Sequence, residues 1–124
     1  MAFSEKSEQL VKDLIQAEYE NACEQAKKEF NDNYIDRYHS LYEGYAILKE
    51  EVEEVFTETK ELESGVEMLW DFIKSSLITK EEMIKVLPFI NSSIKCAIKE
   101  LAQIGAVFMK IQNTLEKAEK WKNK

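Results

Sequence analysis

The sequence predicts an all-α protein, a bundle of about four helices with a long central helix. Only 3 glycines and 1 proline occur among 124 residues, which leaves little material for turns. Apolar residues recur every three or four positions over long segments, the period of an amphipathic helix. The composition, 44% hydrophobic and 10% aromatic, is sufficient for a core. We therefore predict a single domain over residues 1–124, with a frayed tail at 119–124.

The first helix is predicted to begin after Ser4, because a serine side chain can accept a hydrogen bond from the free amides of a helix N-terminus. Asn31-Asp32-Asn33 is typical of a helix end. Between these limits an apolar stripe runs at spacings of three and four: Val11, Ile15, Tyr19, Ala22, Ala26 and Phe30.

The central helix is predicted to begin near His39 or Ser40. Its apolar seam follows a coiled-coil period: Tyr45, Leu48, Val52, Val55, Thr59, Leu62, Val66, Leu69 and Ile73. Gly65 leaves open whether this is one helix or two, because glycine costs about 1 kcal/mol in a helix interior. An unbroken helix would extend about 43 Å at 1.5 Å per residue and would protrude from a compact domain of this size. We therefore expect a second copy to cover the seam, in a homodimer or homotetramer.

A last helical region is predicted from Lys80, because Thr79 and Glu82 have the spacing of a capping box. Pro88 is expected to kink or restart this helix, since proline lacks the amide hydrogen and clashes with the preceding turn. The apolar stripe then continues through Ile90, Ile94, Ile98, Leu101, Gly105, Phe108 and Leu115.

The charge balance and the absence of long apolar stretches limit the possible partners. Asp and Glu number 24 against 17 Lys and Arg, a net charge of −7, which disfavours binding to a nucleic acid backbone. No stretch approaches the ~20 apolar residues of a membrane span. Cys23 and Cys96 lie far apart and the N-terminus has no signal-peptide pattern, so we predict a cytoplasmic protein with free thiols.

Four carboxylates fall within little more than one turn of the central helix, in Glu50-Glu51-Val52-Glu53-Glu54. Such like charges repel, so either water solvates them or a cation neutralises them. Glu51 and Glu54 share a helix face, and Glu100 and Gln103 repeat their spacing. If the two helices pack antiparallel, four oxygen-bearing side chains meet, which suits Mg²⁺. The alternative is a solvated acidic face without a ligand.

The stretch from His39 to Glu54 resembles the all-α nucleoside triphosphate pyrophosphohydrolase superfamily, the MazG-like group, and in particular its short bacteriophage and prophage members. In these proteins a motif of the form H-S-x-x-E-G-Y-A-x-x-K-E-E-x-x-E opens the central helix. The superfamily pairs its E-E-x-x-E motif with a later E-x-x-D, and together they hold Mg²⁺ against the phosphates of a nucleotide. Glu100 matches the later motif, whereas Gln103 stands where the family usually has Asp.

The resemblance implies a set of site residues. Glu51, Glu54, Glu100 and Gln103 would bind Mg²⁺, with Mn²⁺ as a possible substitute. Glu50 or Glu51 would orient the water that attacks phosphorus, giving a nucleoside monophosphate and pyrophosphate.

Three further residues are candidates for nucleotide contacts: Lys49, Lys110 and Trp70. Lys49 lies at the edge of the acidic run, and Lys110 follows Gln103 along the last helix. The alternative for Lys110 is a solvated lysine that lies along apolar surface. The alternative for Trp70 is a place in the core.

Three functions of different classes are compatible with the sequence. The first is a Mg²⁺-dependent pyrophosphohydrolase that acts on a free nucleoside triphosphate. The second is a nucleotide-binding module without catalysis, for example a phage protein that sequesters a nucleotide signal. The third is a helical interaction protein whose seam binds another coiled coil. Release of pyrophosphate separates the first from the others, and nucleotide binding separates the second from the third.

Overall fold

The computed structural model describes residues 3–30, 34–75 and 79–117. These residues form three helices, α1 (Glu5–Phe30), α2 (Leu41–Lys74) and α3 (Lys80–Lys117), and contain no strand. The all-α prediction and the long central helix are confirmed, whereas the count of about four helices is not. The predicted helix end at 31–33 and the predicted frayed tail at 119–124 lie outside the described residues.

Each helix begins where its capping residue predicts. In all three cases a side-chain hydroxyl accepts a hydrogen bond from the amide three residues later, which satisfies one of the exposed donors of the first turn. The pairs are Ser4 with Ser7 at 3.1 Å, Ser40 with Glu43 at 3.1 Å, and Thr79 with Glu82 at 3.2 Å.

The sequence left open a break at Gly65 and predicted a kink or a restart at Pro88, and the described helices show neither a break nor a restart. Helix α2 is unbroken at Gly65, and α3 does not restart at Pro88. At Gly65 an added Cβ would lie 3.0 Å from Cγ1 of Ile90 and 3.2 Å from Cδ1 of Phe89. Glycine is therefore used there because α3 packs closely against α2, and not because the helix ends.

The chain divides into two units, and the first consists of Met1–Val52 and Ala102–Lys124. In this unit α1 packs with the start of α2 and the end of α3. Gly44 permits a close approach, since an added Cβ would lie 2.9 Å from Cγ1 of Ile111 and 3.1 Å from Cδ2 of Tyr38. The buried apolar residues of this unit are Ala26, Tyr38, Ala102, Ala106 and Val107.

The segment that connects α1 to α2 is fixed to the last turns of α3 within the first unit. The backbone amide of Tyr38 donates a 2.8 Å hydrogen bond to Oγ1 of Thr114. The side-chain amide of Asn113 donates a 2.8 Å hydrogen bond to the carbonyl oxygen of Asp36. These bonds give Tyr38 a defined position within residues 34–40, the described part of the connecting segment, which has no regular secondary structure.

The second unit, Glu53–Leu101, consists of the rest of α2 and α3. The contact between Gly65 and Ile90 and the proximity of Glu54 to Glu100 show that the two segments run antiparallel. Val86 and Ala97 are its buried apolar residues. Most of its large apolar side chains are exposed on the single chain: Phe56, Val66, Met68, Trp70, Ile73, Ile84, Leu87, Phe89, Ile94, Ile98 and Leu101.

The apolar surface of the helices is interrupted by charged residues throughout. None of the helices in the described part of the chain is apolar enough over a sufficient length to cross a bilayer.

Candidate functional site

Two of the predicted metal ligands meet in the second unit. Glu54 on α2 and Glu100 on α3 offer carboxylate oxygens within 4.8 Å of each other, although they are far apart in sequence. Glu51 lies one turn before Glu54 on the same helix. Glu54 is exposed, whereas one oxygen of Glu51 and one of Glu100 are out of contact with solvent.

The spacing of these oxygens is compatible with a shared divalent cation. Two oxygens bound to one Mg²⁺ at about 2.1 Å lie at most about 4.2 Å apart, so a small rotation of the side chains brings Glu54 and Glu100 to a common ion. Carboxylates are also the hard oxygen ligands that Mg²⁺ prefers. The residues therefore fit the cation that the sequence predicts.

Three of the predicted residues line one cavity in the first unit. This space, which we call the Lys110 cavity, has a volume of about 200 Å³. Glu51 borders it from α2, and Gln103 and Lys110 border it from α3. Its remaining lining residues are Glu18, Asn21, Ala22, Tyr38, Ala106 and Val107.

Lys110 is buried, so the alternative of a solvated lysine is wrong. Its exposed fraction is 7%. The Nζ atom lies 5.5 Å from the ring centroid of Tyr38, where the π electrons of the ring attract a cation. Burial of an ammonium group is costly unless negative charge or π electrons stabilise it, and Glu18 and Glu51 border the same cavity. The cavity thus contains one cationic and two anionic side chains.

Tyr38 remains protonated well above neutral pH. Burial, together with the negative charges of Glu51 and Glu43, raises the pKa of its phenol to about 12. Desolvation and nearby anions both disfavour the phenolate, which explains the direction. At physiological pH its hydroxyl can therefore donate a hydrogen bond to an anionic ligand.

The other predicted residues lie on exposed surfaces. Lys49 and Glu50 are exposed on α2 in the first unit. Trp70 belongs to the second unit, where 56% of its surface is exposed and Nζ of Lys74 lies 5.4 Å above its ring. The alternative that Trp70 forms part of the core is therefore wrong for the single chain.

Three residues of the Lys110 cavity that carry polar groups were not predicted from the sequence: Glu18, Asn21 and Tyr38. Glu18 and Asn21 are three apart on α1 and flank the apolar stripe next to Tyr19 and Ala22. Polar residues beside a stripe are common on any amphipathic helix, so this signal is weak. Tyr38 lies between two predicted helices, and sequence periodicity gives no information about such a position.

None of the family models, curated proteins or solved structures compared with this chain matches it. The family resemblance therefore rests on the sequence motif between His39 and Glu54.

Proposed function

We propose that this chain is a Mg²⁺-dependent nucleoside triphosphate pyrophosphohydrolase-like protein that acts on a free nucleotide. The observation that carries the proposal is the approach of Glu54 and Glu100 to within 4.8 Å, from different helices and at positions that the motif singles out. Glu51 and Gln103, each one turn away on the same helices, are the other two ligands that the resemblance implies, and Mn²⁺ could substitute for Mg²⁺.

Each group has a distinct task in this proposal. A bound Mg²⁺ would neutralise the charge that develops on the phosphates. The ammonium group of Lys110 would attract a phosphate oxygen, and Tyr38 would donate a hydrogen bond to it. Glu51 is better placed than Glu50 to orient the attacking water, because Glu51 borders the Lys110 cavity whereas Glu50 is exposed. Attack of water on the α-phosphorus would yield a nucleoside monophosphate and pyrophosphate.

The test is a screen of nucleoside triphosphates with Mg²⁺ and Mn²⁺ that measures pyrophosphate release. We expect release with at least one nucleotide, and its loss in Glu51→Gln. Glu53→Gln is the matched control, because Glu53 is an exposed carboxylate of the same acidic run. Equal activity of the parent and Glu51→Gln would contradict the role of Glu51, and an inactive parent would contradict the enzymatic function.

The second candidate function is a nucleotide-binding module without catalysis, and Gln103 favours it. Glutamine can ligate a cation through its amide oxygen but brings no charge, so the site has one negative charge fewer to offset a second Mg²⁺. A phage protein of this kind would sequester a nucleotide signal. Calorimetry would then show nucleotide binding while no pyrophosphate is released.

The third candidate is an interaction between helical surfaces, either with another protein or with a second copy of the chain. The large apolar residues exposed on the second unit support it, because a partner that covered them would remove apolar surface from water. We propose a homodimer or homotetramer that works in the cytoplasm, where both free cysteines stay reduced. Light scattering at micromolar concentration tests the assembly, and a monomeric mass would contradict it.

A further inference from the structure

A second, larger cavity of the first unit has an aromatic lining. It has a volume of about 360 Å³, which is within the range of small-molecule sites. We call it the tyrosine pocket, after Tyr34, Tyr38 and Tyr42, which border it together with His39. The rings come from the segment before α2 and from its first turn, and the last turns of α3 close the pocket.

The aromatic groups of the tyrosine pocket are already arranged as a stacking surface. The rings of Tyr34 and His39 are stacked, with centroids 4.0 Å apart and planes inclined by 26°. The guanidinium carbon of Arg37 lies 5.3 Å from the centroid of Tyr34. Tyr42 is 89% exposed, so its ring can close over a ligand without disturbing the core. Nucleobases bind by stacking on such aromatic rings and guanidinium planes.

The charges around the pocket are largely paired within the protein. Among the described residues that border it, Arg37 and Lys117 are cationic and none is acidic. Both cations contact Asp36, at 3.3 Å and 3.2 Å, and a carboxylate oxygen of Glu43 lies 3.3 Å from Nδ1 of His39, so stacking rather than charge is the feature that would select a ligand. The N-terminus of α2 adds a partial positive charge at Leu41.

Tyr38 connects this pocket to the proposed phosphate site. Its side chain borders both the tyrosine pocket and the Lys110 cavity. We propose that the tyrosine pocket binds the nucleobase of the nucleotide whose phosphates contact Lys110. This inference rests on the proposed nucleotide function and adds the position of the base, which neither the acidic run nor its resemblance assigns.

The single histidine of the chain allows a direct test. His39 is the only histidine, so its imidazole proton resonances can be identified without a full assignment. Nucleosides without phosphate are titrated in the absence of divalent cations, and the His39 resonances are followed by NMR. We expect saturable shifts for at least one nucleoside, because the ring current of a stacked base acts on the neighbouring imidazole.

Matched variants identify the stacking residue. Tyr42→Ala should weaken nucleoside binding about tenfold, as expected from the loss of one stacking partner. Tyr45→Ala should leave it unchanged, because Tyr45 is an exposed tyrosine one turn further along α2 that does not border the pocket. Equal weakening in both variants, or none in either, would overturn the proposal.

A series of ligands distinguishes the failure of this inference from the failure of the proposed function. Ribose 5-phosphate should leave the His39 resonances unchanged, and a shift equal to that of a nucleoside monophosphate would identify an anion site instead of a base site. If nucleosides shift nothing while the protein still releases pyrophosphate, the base pocket is wrong and the enzymatic function stands. If nucleosides bind but no nucleotide is hydrolysed, the pocket stands and the enzymatic function fails.

Discussion

Replacement of Glu54 by glutamine should have opposite effects without and with a divalent cation. Two unit charges 4.8 Å apart repel by about 0.9 kcal/mol in water, and salt near 0.15 M roughly halves this value. Glu54 is exposed, offers an oxygen within 4.8 Å of one of Glu100, and follows Glu51 by three residues on α2, a spacing at which like charges repel by a similar amount. Glu54→Gln should therefore stabilise the cation-free protein by about 1 kcal/mol, a rise of about 4 °C in Tm.

In the presence of Mg²⁺ the parent should be more stable than Glu54→Gln. A cation that binds only the folded state at a hundredfold excess over Kd stabilises the parent by about 2.7 kcal/mol. Glu54→Gln removes one of the ligand charges, so Mg²⁺ should stabilise this variant much less than it stabilises the parent.

The assay is thermal unfolding of the parent, Glu54→Gln and the control Glu53→Gln, with chelator and with millimolar Mg²⁺. The control should respond to Mg²⁺ as the parent does, because Glu53 does not belong to the group of converging carboxylates. An unchanged Mg²⁺ response in Glu54→Gln would refute the cation site and leave the acidic run as a solvated face.

Three further predictions concern single residues. Gln103→Asp should tighten Mg²⁺ binding about tenfold by calorimetry, because the added charge is worth on the order of 1.4 kcal/mol. The pKa of Tyr38 is raised from 10.0 to about 12, so the unfolded chain loses its proton at lower pH than the folded protein. The free energy of unfolding in urea should therefore fall between pH 10 and 12 by up to about 2.7 kcal/mol, and fall less in Tyr38→Phe. Gly44→Ala should lower the free energy of unfolding by about 1 kcal/mol, because overpacking against Ile111 exceeds the gain in helix propensity; a gain in stability would contradict the close contact.

The helices could be predicted because their signals are local. A capping hydroxyl at Ser4, Ser40 or Thr79 acts on an amide three residues away, so the sequence contains both partners. The continuity of α2 at Gly65 could not be predicted in the same way. Its cause is the contact with Phe89 and Ile90 of α3, and a residue so distant in sequence leaves no periodic signal.

In the candidate site, too, some features follow from local sequence signals and others do not. The converging carboxylates follow from helix spacing and from the motif, whereas the burial of Lys110 does not. A lysine on an amphipathic helix is usually solvated. Here Tyr38 covers it, and the position of Tyr38 depends on a hydrogen bond to Thr114. The cavity therefore arises from a tertiary contact of an irregular segment, which neither propensity nor periodicity describes.

The burial of Lys110 also bears on the glutamine at position 103. Both side chains border the same cavity with Glu18 and Glu51. An aspartate at 103 would add a third carboxylate around one ammonium group, and the resulting attraction would hold that group away from a phosphate. Glutamine offers an amide oxygen without this competition. The departure from the family motif is thus consistent with a site in which Lys110 supplies charge to the ligand. Gln103→Asp should then weaken nucleotide binding although it tightens Mg²⁺ binding. If glutamine had only removed a ligand charge from the site, the same substitution would tighten the binding of both.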